Sequence, residues 1–339
     1  MIKLSICIPT YNFGHTIGET LDSILINNLE GVEIVILDGG STDNTKSEVE
    51  IRQHKFSRLI YHNQEFKGGI DKDIEKVVSF ANGKFCWLFS ADDIMIKGAL
   101  NHILKELEND YEIYLCEQLV CDNNLDLIKE HPIFRTIRTP KTFDFLNSVD
   151  RALYFKNART TEAFFSYLAG PIFKKTIWDS VNNLPTAFYK SCWCHAGRLL
   201  IALDQSKQSR ISYLGKPFIK KRAGIDSFLN NGIVNRLAIT IIEFSNIAYT
   251  VYGNDSFESF HMRRTIRNEE SFRFRHLISL KIQFAVKGEL ENVIALNNLV
   301  KIHYSNAGMI NKFKFYTFKY IPVLILRFIK LIKDKTKTL

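Results

Sequence analysis

Two adjacent aspartates, Asp92 and Asp93, follow an apolar run in the stretch FCWLFSADD at residues 85–93. Like charges at the exit of a buried strand repel each other and lose hydration, so they need a compensating cation or hydrogen-bond donors. Mg²⁺ and Mn²⁺ take oxygen ligands, commonly one or two carboxylates, and substrate phosphates complete their coordination. The stretch therefore predicts a divalent cation, Mn²⁺ or Mg²⁺, bound by Asp92 and Asp93 beside a diphosphate.

The elements that precede these aspartates alternate between strands and helices. Residues 15–28, 70–82 and 101–110 space their apolar side chains as amphipathic helices do, and short β-rich runs cover residues 4–9, 32–38, 57–62 and 84–90. Such alternation predicts an α/β fold, with a mostly parallel sheet flanked by helices.

Three polar clusters come directly after three of the predicted strands. The cluster PTYN follows the first predicted strand, DGGSTDNT follows the second, and SADD follows the strand FCWLF. Ligands of such sheets bind at the carboxyl ends of the strands, where loops and helix N-termini converge. Each cluster alone is compatible with an ordinary turn, but together they predict one site.

The net charge of +9 is concentrated near the C-terminus. Residues 255–339 contain 16 lysines and arginines against 7 aspartates and glutamates, whereas residues 1–254 are balanced at 29 of each. Between residues 313 and 332 the basic side chains are interleaved with aromatics and aliphatics, and the uninterrupted apolar run YIPVLIL is far shorter than the roughly 20 residues that span a bilayer. The pattern favours an interfacial helix on an anionic membrane surface; a core helix with a solvated basic edge is the alternative.

Several segments together resemble the family 2 glycosyltransferases of the GT-A fold. They are SICIPTYN at 5–12, VEIVILDGGSTDNT at 32–45 and ANGKFCWLFSADD at 81–93. Within that family the chain is most similar to the abequosyltransferase-like enzymes of bacterial O-antigen synthesis, through the segments GIDKD at 69–73 and RAGIDS at 222–227. The resemblance covers residues 1–235. It implies a glycosyltransferase of the hexosyltransferase class that uses a divalent metal, Mn²⁺ or Mg²⁺.

The resemblance also implies roles for individual residues. Asp92 and Asp93 bind the metal that bridges the diphosphate. The residues expected to bind the nucleotide-sugar are Pro9, Thr10, Tyr11, Asp38, Asp71, Lys72, Ser90 and Arg222. Pro9, Thr10 and Tyr11 form a wall of the nucleotide pocket, and Asp38 hydrogen-bonds the base or ribose. Arg222 contacts the diphosphate as a fixed fork, although a solvated charged turn explains that arginine equally well.

The general base of an inverting reaction is assigned less directly. Inverting relatives usually employ an aspartate in the second half of the domain, but SCWCHAGRLL at 191–200 offers His195 and no carboxylate. An imidazole suits proton transfer near neutral pH, so His195 is the first candidate for catalysis, and Asp226 and Asp179 are alternatives. A histidine at a helix start is also commonly a cap, and that interpretation stays open.

Two positions depart from the family pattern. Ser90 stands where an aspartate is common in the family's D-x-D-D motif, which removes a charge near the metal. Asp73 stands where related enzymes often have asparagine. Metal affinity or donor choice is therefore expected to differ from that of the relatives.

We expect a GT-A domain over residues 1–235 and a basic, helical, membrane-associating extension over 236–339. The expected function is transfer of a sugar, with a dideoxyhexose such as abequose as one possibility, from a nucleotide-diphosphate sugar to a lipid-linked or lipooligosaccharide acceptor. The N-terminus lacks a signal-peptide pattern, so we expect a cytoplasmic protein attached peripherally to the cytoplasmic face of the inner membrane. The donor sugar, base, acceptor, linkage and stereochemistry stay open.

Two other functions remain as alternatives. A nucleotidyltransferase also combines carboxylates, a metal and a diphosphate, but PTYNFGHT lacks the Gly-rich basic phosphate loop that such enzymes usually have. A catalytically degenerate carbohydrate- or membrane-binding module would explain Ser90, although the retained Asp38, Asp92 and Asp93 argue against it. Nucleic-acid binding is disfavoured because the basic residues are mixed with long aliphatic side chains.

Overall fold

The strands predicted near the N-terminus form one half of a ten-stranded sheet in a computed structural model of the protein. The structure describes residues 2–225, 227–304 and 308–320. The chain divides into two units, Met1–Asp226 and Ser227–Leu339. The division into domains at residue 235 stays a prediction.

The sheet of the first unit is parallel over four strands and mixed beyond them. Its strands are β1 (Leu4–Thr10), β2 (Val32–Asp38), β3 (Leu59–Asn63), β4 (Phe85–Leu88), β5 (Ile94–Met95), β6 (Ile113–Cys121), β7 (Leu127–His131), β8 (Lys141–Asp144), β9 (Pro171–Lys174) and β10 (Arg210–Arg222). Their order is β3-β2-β1-β4-β9-β6-β10-β5, with β7 beside β6 and β8 beside β10. Strand β9 runs antiparallel to both β4 and β6. The predicted α/β fold is confirmed.

Helices flank this sheet and explain why its central strands β1 and β2 are buried at every position. The helices of the first unit are α1 (Ile17–Leu25), α2 (Thr45–Gln53), α3 (Ile70–Ser79), α4 (Ala99–Glu106), α5 (Ser148–Asn157), α6 (Lys175–Asp179) and α7 (Cys194–Gln205). Every residue of β1 and β2 is buried. Burying a large aliphatic side chain stabilises a fold by about 1.5–3 kcal/mol, so these strands form a rigid support for the loops at their ends.

Trp87 fixes the strand that leads to the paired aspartates. Its side chain is fully buried, and the indole N–H donates a hydrogen bond to the carbonyl of Ala169 at 2.8 Å. The Trp87 ring also packs edge-on against Phe89, with the ring centroids 5.2 Å apart. The apolar run of FCWLFSADD is thus an anchored strand, and its polar end is held in place.

The three predicted polar clusters lie at the carboxyl edge of adjacent strands. Thr10 and Asp38 are the last residues of β1 and β2 and are register partners. Strand β4 lies on the other side of β1 and leads into Ser90. The prediction that the clusters share one edge of the sheet is confirmed.

The second unit is helical over its described residues. Its helices are α8 (Ile233–Ala238), α9 (Ser245–Tyr252), α10 (Phe257–Asn268), α11 (Phe274–Lys287), α12 (Leu290–Tyr304) and α13 (Met309–Tyr320), with a π-helical segment at Ile239–Phe244. The helical extension expected from the sequence is confirmed for this part, but most of the basic apolar run at 313–332 lies outside the described residues. No helix in the described ranges combines the length and the apolar character that crossing a bilayer requires.

Candidate functional site

Asp38 is held by hydrogen bonds to both of its carboxylate oxygens. The backbone N–H of Ser41 donates to Oδ1 at 2.7 Å, and the hydroxyl of Tyr61 donates to Oδ2 at 2.6 Å. The neighbouring Thr10 is buried, and its Oγ1 makes no hydrogen bond within the described residues. The arrangement places a fixed carboxylate and an unsatisfied hydroxyl at the ends of neighbouring strands, and their contact with the nucleotide stays a prediction.

The loops after β1 and β2 are tied together by side-chain caps. The backbone N–H of Asn12 donates to Ser41 Oγ, and that of Thr42 donates to Asn12 Oδ1, both at 2.8 Å. Asp43 Oδ2 accepts the N–H of Gly14 at 2.9 Å. These contacts explain why turn-forming residues dominate DGGSTDNT: they fix the wall to which Pro9 and Tyr11 belong.

Tyr11 presents its ring to a cation. The ammonium of Lys67 lies 4.0 Å from the centroid of the Tyr11 ring. Lys67 belongs to the turn before α3 and was not among the residues singled out from the sequence. Its position beside the predicted nucleotide wall makes it a further candidate for contact with phosphate.

Asp71 has a structural partner in the amino end of α7. Its Oδ2 accepts the backbone N–H of Cys192 at 3.0 Å, and its Oδ1 accepts that of Cys194 at 3.1 Å. Burial raises the pKa of Asp71, and the two backbone hydrogen bonds oppose that shift. Asp71 therefore joins α3 to α7, whereas Lys72 is exposed on α3. Their contact with the nucleotide stays a prediction.

Asp73 is the acid of α3 that lies nearest the Asp38 pocket. Gln64 donates to its Oδ1 at 2.7 Å, and a Cβ at Gly39 would lie 3.2 Å from its Oδ2. Burial raises the pKa of Asp73, and the charge of Asp38 adds to that shift. The sequence signal for this residue was its departure from the family's asparagine.

The paired aspartates are buried, and each accepts a hydrogen bond from a neighbouring hydroxyl. Ser90 Oγ donates to Asp92 Oδ1, so the serine keeps a polar contact at the position where relatives have aspartate. Tyr167 donates its hydroxyl to Asp93 Oδ2 at 2.5 Å. Burial raises the pKa of Asp93 to about 7, and the charge of Asp92 adds to the shift. Burial also raises the pKa of Asp92. Both carboxylates therefore gain from a cation.

Arg222 supports the turn that contains the aspartates. Its Nε donates to the carbonyl of Asp92 at 3.0 Å, its Nη1 donates to the carbonyl of Asn123 at 2.8 Å, and its Nη2 pairs with Glu19. Arg222 as a whole residue is 6% exposed. These contacts position Asp92 through its backbone; the predicted contact of Arg222 with the diphosphate stays a prediction.

Lys221 is a charged residue beside Asp93 that was not singled out from the sequence. The ammonium of Lys221 lies 5.0 Å from the centroid of the Tyr167 ring and lowers the pKa of both Asp92 and Asp93. The sequence did offer a signal for Lys221, because it lies in β10 directly before Arg222, which was singled out. Lys221 supplies a cation beside Tyr167 and the two aspartates.

An imidazole–carboxylate pair lies close to the same tyrosine. His131 Nε2 is 3.0 Å from Glu162 Oε1. Burial alone would raise the pKa of Glu162, but the neighbouring His131 and Lys221 lower it, which keeps the carboxylate charged. Glu162 in turn contributes to the raised pKa of Tyr167. No sequence signal marked this pair, because its members are 31 residues apart on separate elements.

Of the two residues predicted to be catalytic, His195 and Asp226, the structure describes only His195. His195 lies in the first turn of α7 and is 2% exposed, and burial lowers its pKa to about 4. It is therefore neutral at pH 7 and closed to solvent in this structure. Asp226 lies outside the described residues. The alternative Asp179 pairs with Lys175 at 2.7 Å on the surface of α6.

The donor set at Asp92 and Asp93 fits a hard divalent cation that also needs substrate oxygens. Two buried carboxylates provide oxygen ligands of the type that Mn²⁺ and Mg²⁺ prefer. Within residues 2–225, 227–304 and 308–320, no three histidine, cysteine, aspartate or glutamate side chains are grouped closely enough to bind a metal by themselves. Oxygens of a bound diphosphate would complete the coordination of such a cation.

Comparison with known proteins agrees with this arrangement. Residues 5–168 match the family model of Glycosyl transferase family 2. The abequosyltransferase RfbV of Salmonella typhimurium is 29% identical over 259 residues, which cover 74% of this chain and 76% of that protein. The GalNAc(5)-diNAcBac-PP-undecaprenol beta-1,3-glucosyltransferase of Campylobacter jejuni is 30% identical over 112 residues, or 33% of this chain and 36% of that protein.

Solved structures extend the likeness to almost the whole chain. The structure of S. aureus TarS 1-349 in complex with UDP-GlcNAc has a TM-score of 0.62 at 17% identity, covering 98% of this chain and 92% of that chain. The mannosyltransferase PcManGT from Pyrobaculum calidifontis, in complex with GDP-Man and Mn²⁺, has a TM-score of 0.52 at 13% identity, covering 98% and 88%. At these identities the likeness shows the fold.

The fold and the acidic carboxyl edge define a transferase of the GT-A class. The chain carries a glycosyl transferase family 2 domain and is a glycosyltransferase, with relatives that include an abequosyltransferase. The recognition made from the motifs is confirmed. Members of this fold class commonly use a divalent metal, as the Mn²⁺ complex of the mannosyltransferase illustrates.

Proposed function

We propose that the protein transfers a sugar from a nucleotide-diphosphate donor to a lipid-linked acceptor in the synthesis of a bacterial surface polysaccharide. The observation that carries this proposal is the placement of Asp38 and the Asp92–Asp93 pair on either side of the end of β1. A nucleoside at Asp38 and a diphosphate at the pair would span adjacent strand ends. A deoxygenated hexose such as abequose is the donor sugar that the Salmonella relative suggests.

The polar groups at the carboxyl edge of the sheet are the proposed binding site of the donor. Thr10, Tyr11 and Asp38 bind the nucleoside, with the free hydroxyl of Thr10 and the fixed carboxylate of Asp38 as the polar contacts. Asp92 and Asp93 would hold Mn²⁺ or Mg²⁺, which when bound supplies positive charge to the leaving diphosphate. Lys221 and Lys67 add cations that act on the same developing charge, more strongly in the transition state than in the ground state.

Proton transfer from the acceptor hydroxyl needs a base that the acceptor can reach. His195 is buried, so its predicted role requires the segment before α7 to open. The pair of His131 and Glu162 offers an alternative near Asp93: His131 in its neutral form takes the acceptor's proton, and the carboxylate of Glu162 stabilises the imidazolium that forms. We propose this pair as the acceptor-side base of an inverting reaction.

Two observations support a proposal for the acceptor and for the location of the enzyme. The Campylobacter relative is named for an undecaprenol-linked acceptor, and the second unit carries the basic excess of the chain. We infer that the protein attaches peripherally to the cytoplasmic face of the inner membrane through its C-terminal helices, where such an acceptor is presented. Attachment to an anionic surface would raise the local concentration of a substrate that does not leave the bilayer.

Thermal stabilisation by nucleotides tests donor binding. CDP, UDP, GDP and dTDP are each added with and without Mn²⁺ to the native chain and to Asp92→Ala. A ligand that binds only the folded state raises its stability, so one nucleotide should raise the melting temperature in a metal-dependent way that the variant lacks. Absence of a shift with all four nucleotides would favour a degenerate binding module. Asp126→Ala, at an exposed acid of the same unit, is the matched control.

A further inference from the structure

A cavity of about 470 Å³ in the second unit is lined by an unusual number of cations. The five cationic residues that line it, here called the basic cavity, are Arg264, Arg267, Arg273, Arg275 and Lys314. No aspartate or glutamate is among the residues that line it. Its volume lies within the range of small-ligand sites, about 300–1,000 Å³.

Arg267 places an unsatisfied hydrogen-bond donor at the basic cavity. Its Nη1 is buried and makes no hydrogen bond within the described residues. Burial lowers the pKa of Arg267 to about 10, and the neighbouring charges of Arg263 and Arg264 add to the shift. A buried guanidinium nitrogen without an acceptor is costly, and an oxyanion in the cavity would provide both an opposite charge and an acceptor for it.

Arginine forks on several sides of one cavity match a particular class of anion. Arg267 comes from α10, Arg275 from the start of α11 and Lys314 from α13, so the cations converge from three helices. Guanidinium groups bind phosphate oxygens in pairs, and an ammonium adds a compact charge. Phosphate or diphosphate is therefore the ligand chemistry that this set recognises.

Helix α13 adds an exposed apolar stripe to the same region. Met309, Phe313, Tyr316 and Tyr320 recur at intervals of four, three and four residues, which places them on one helix face. Their exposed fractions are 88%, 72%, 55% and 65%. The same helix contributes Lys314 to the basic cavity. A helix with large apolar residues beside cations is typical of the membrane interface.

We propose that the basic cavity binds the phosphate or diphosphate headgroup of a membrane lipid while the apolar stripe of α13 enters the acyl boundary. The lipid, and not free phosphate, is the proposed source because a soluble anion would leave the stripe unexplained. The inference deepens the membrane attachment of the proposed function by naming its site, and it rests on that attachment alone, independent of the sugar transferred.

Vesicle binding by the full chain tests this site. Flotation is measured with phosphatidylcholine vesicles that contain or lack phosphatidylglycerol. The variant Arg275→Gln/Lys314→Gln changes two cations at the cavity, and Lys287→Gln/Lys301→Gln removes the same charge from exposed positions of the same unit that do not line it. We expect about tenfold weaker binding to anionic vesicles for the cavity variant and less than about threefold for the control.

A second pair of variants examines the apolar stripe. Phe313→Ser should weaken binding to anionic vesicles, whereas Ile294→Ser, at a residue of α12 that is 61% exposed, should change it little. Equal losses in the cavity variant and its charge-matched control would overturn the proposal. So would stabilisation of the protein by soluble pyrophosphate without any preference for anionic vesicles, because that result assigns the cavity to a free anion.

Nucleotide stabilisation in the same variants separates this inference from the proposed enzyme activity. The cavity variant should keep the native response to nucleotide and Mn²⁺, since the acidic residues of the first unit are unchanged. Loss of vesicle binding with native nucleotide binding supports the lipid site. Loss of both would indicate a general folding defect and would count against a local role for these cations.

Discussion

The carboxyl edge of the first unit and the basic cavity of the second concentrate opposite charges. The acidic edge consists of Asp38, Asp73, Asp92 and Asp93, which are all exposed by 8% or less and lie at the end of β2, in α3 and in the turn after β4. The cations of the basic cavity come from helices, and some of them are exposed. The acidic edge would thus attract a cation mainly because its carboxylates are desolvated. The basic cavity would attract an anion mainly because it has several cations.

This difference has a physical consequence for ligand binding. Buried charges are screened little by salt and shift their pKa strongly, so the edge should bind a metal and diphosphate with high selectivity. Solvated cations are screened, so the cavity should respond to the charge density of a surface. Variants that affect one region and spare the other test whether the two are independent.

The largest expected effect belongs to Asp92→Ala. Removing a carboxylate that holds the metal should lower kcat/KM of sugar transfer by about 10³-fold or more, because charge stabilisation of the leaving group is lost. Vesicle binding should remain native. Transfer is measured with the nucleotide-sugar identified by thermal stabilisation, and Asp126→Ala should retain full activity. A vesicle-binding defect in Asp92→Ala would contradict the independence of the two regions.

Asp93→Asn should stabilise the metal-free protein. Because the pKa of Asp93 is about 7 in the folded state against 3.8 ordinarily, the folded state is penalised as pH rises from about 4 to about 7. The asparagine variant should therefore gain about 2–4 kcal/mol at pH 8, and the gain should vanish below about pH 4. Urea unfolding across this pH range measures it, and a gain that is constant with pH would refute the assigned cause.

Glu162→Gln and His131→Asn should each lower kcat by about 10²-fold with little change in the KM for the donor. The reason is that the pair acts on the acceptor's proton and not on the diphosphate. His195→Asn is the discriminating comparison. If the His195 variant loses activity and the Glu162 variant does not, the base is His195, and the segment before α7 must open during the reaction.

Salt should produce the smallest effect and should distinguish the regions directly. Raising NaCl from about 0.05 M to about 0.5 M shortens the screening length severalfold, so vesicle binding through the basic cavity should weaken by about fivefold or more. Metal-dependent nucleotide stabilisation should change less, since its charges are buried. An equal salt dependence of the two would show that the acidic edge is more open to solvent than its burial indicates.

The sequence by itself determined most elements of the first hundred residues, although not α2 or β5, and the edge at which they meet. Continuous apolar runs such as residues 32–38 specify buried strands, and a polar cluster after each run specifies its end, because these signals are local in the chain. The placement of Asp38, Asp92 and Asp93 at this edge was therefore predictable. So were the helical character and the basic excess of the second unit.

The tertiary structure alone decided which side chains meet across long separations. Asp71 caps α7 from 121 residues away, Arg222 supports Asp92 from 130 residues away, and Glu162 meets His131 on another element. The basic cavity was likewise beyond the sequence, since its cations come from three helices. Burial is the physical reason: whether a carboxylate or guanidinium is a partner, a ligand or a solvated charge depends on what packs around it, and the local pattern does not contain that information.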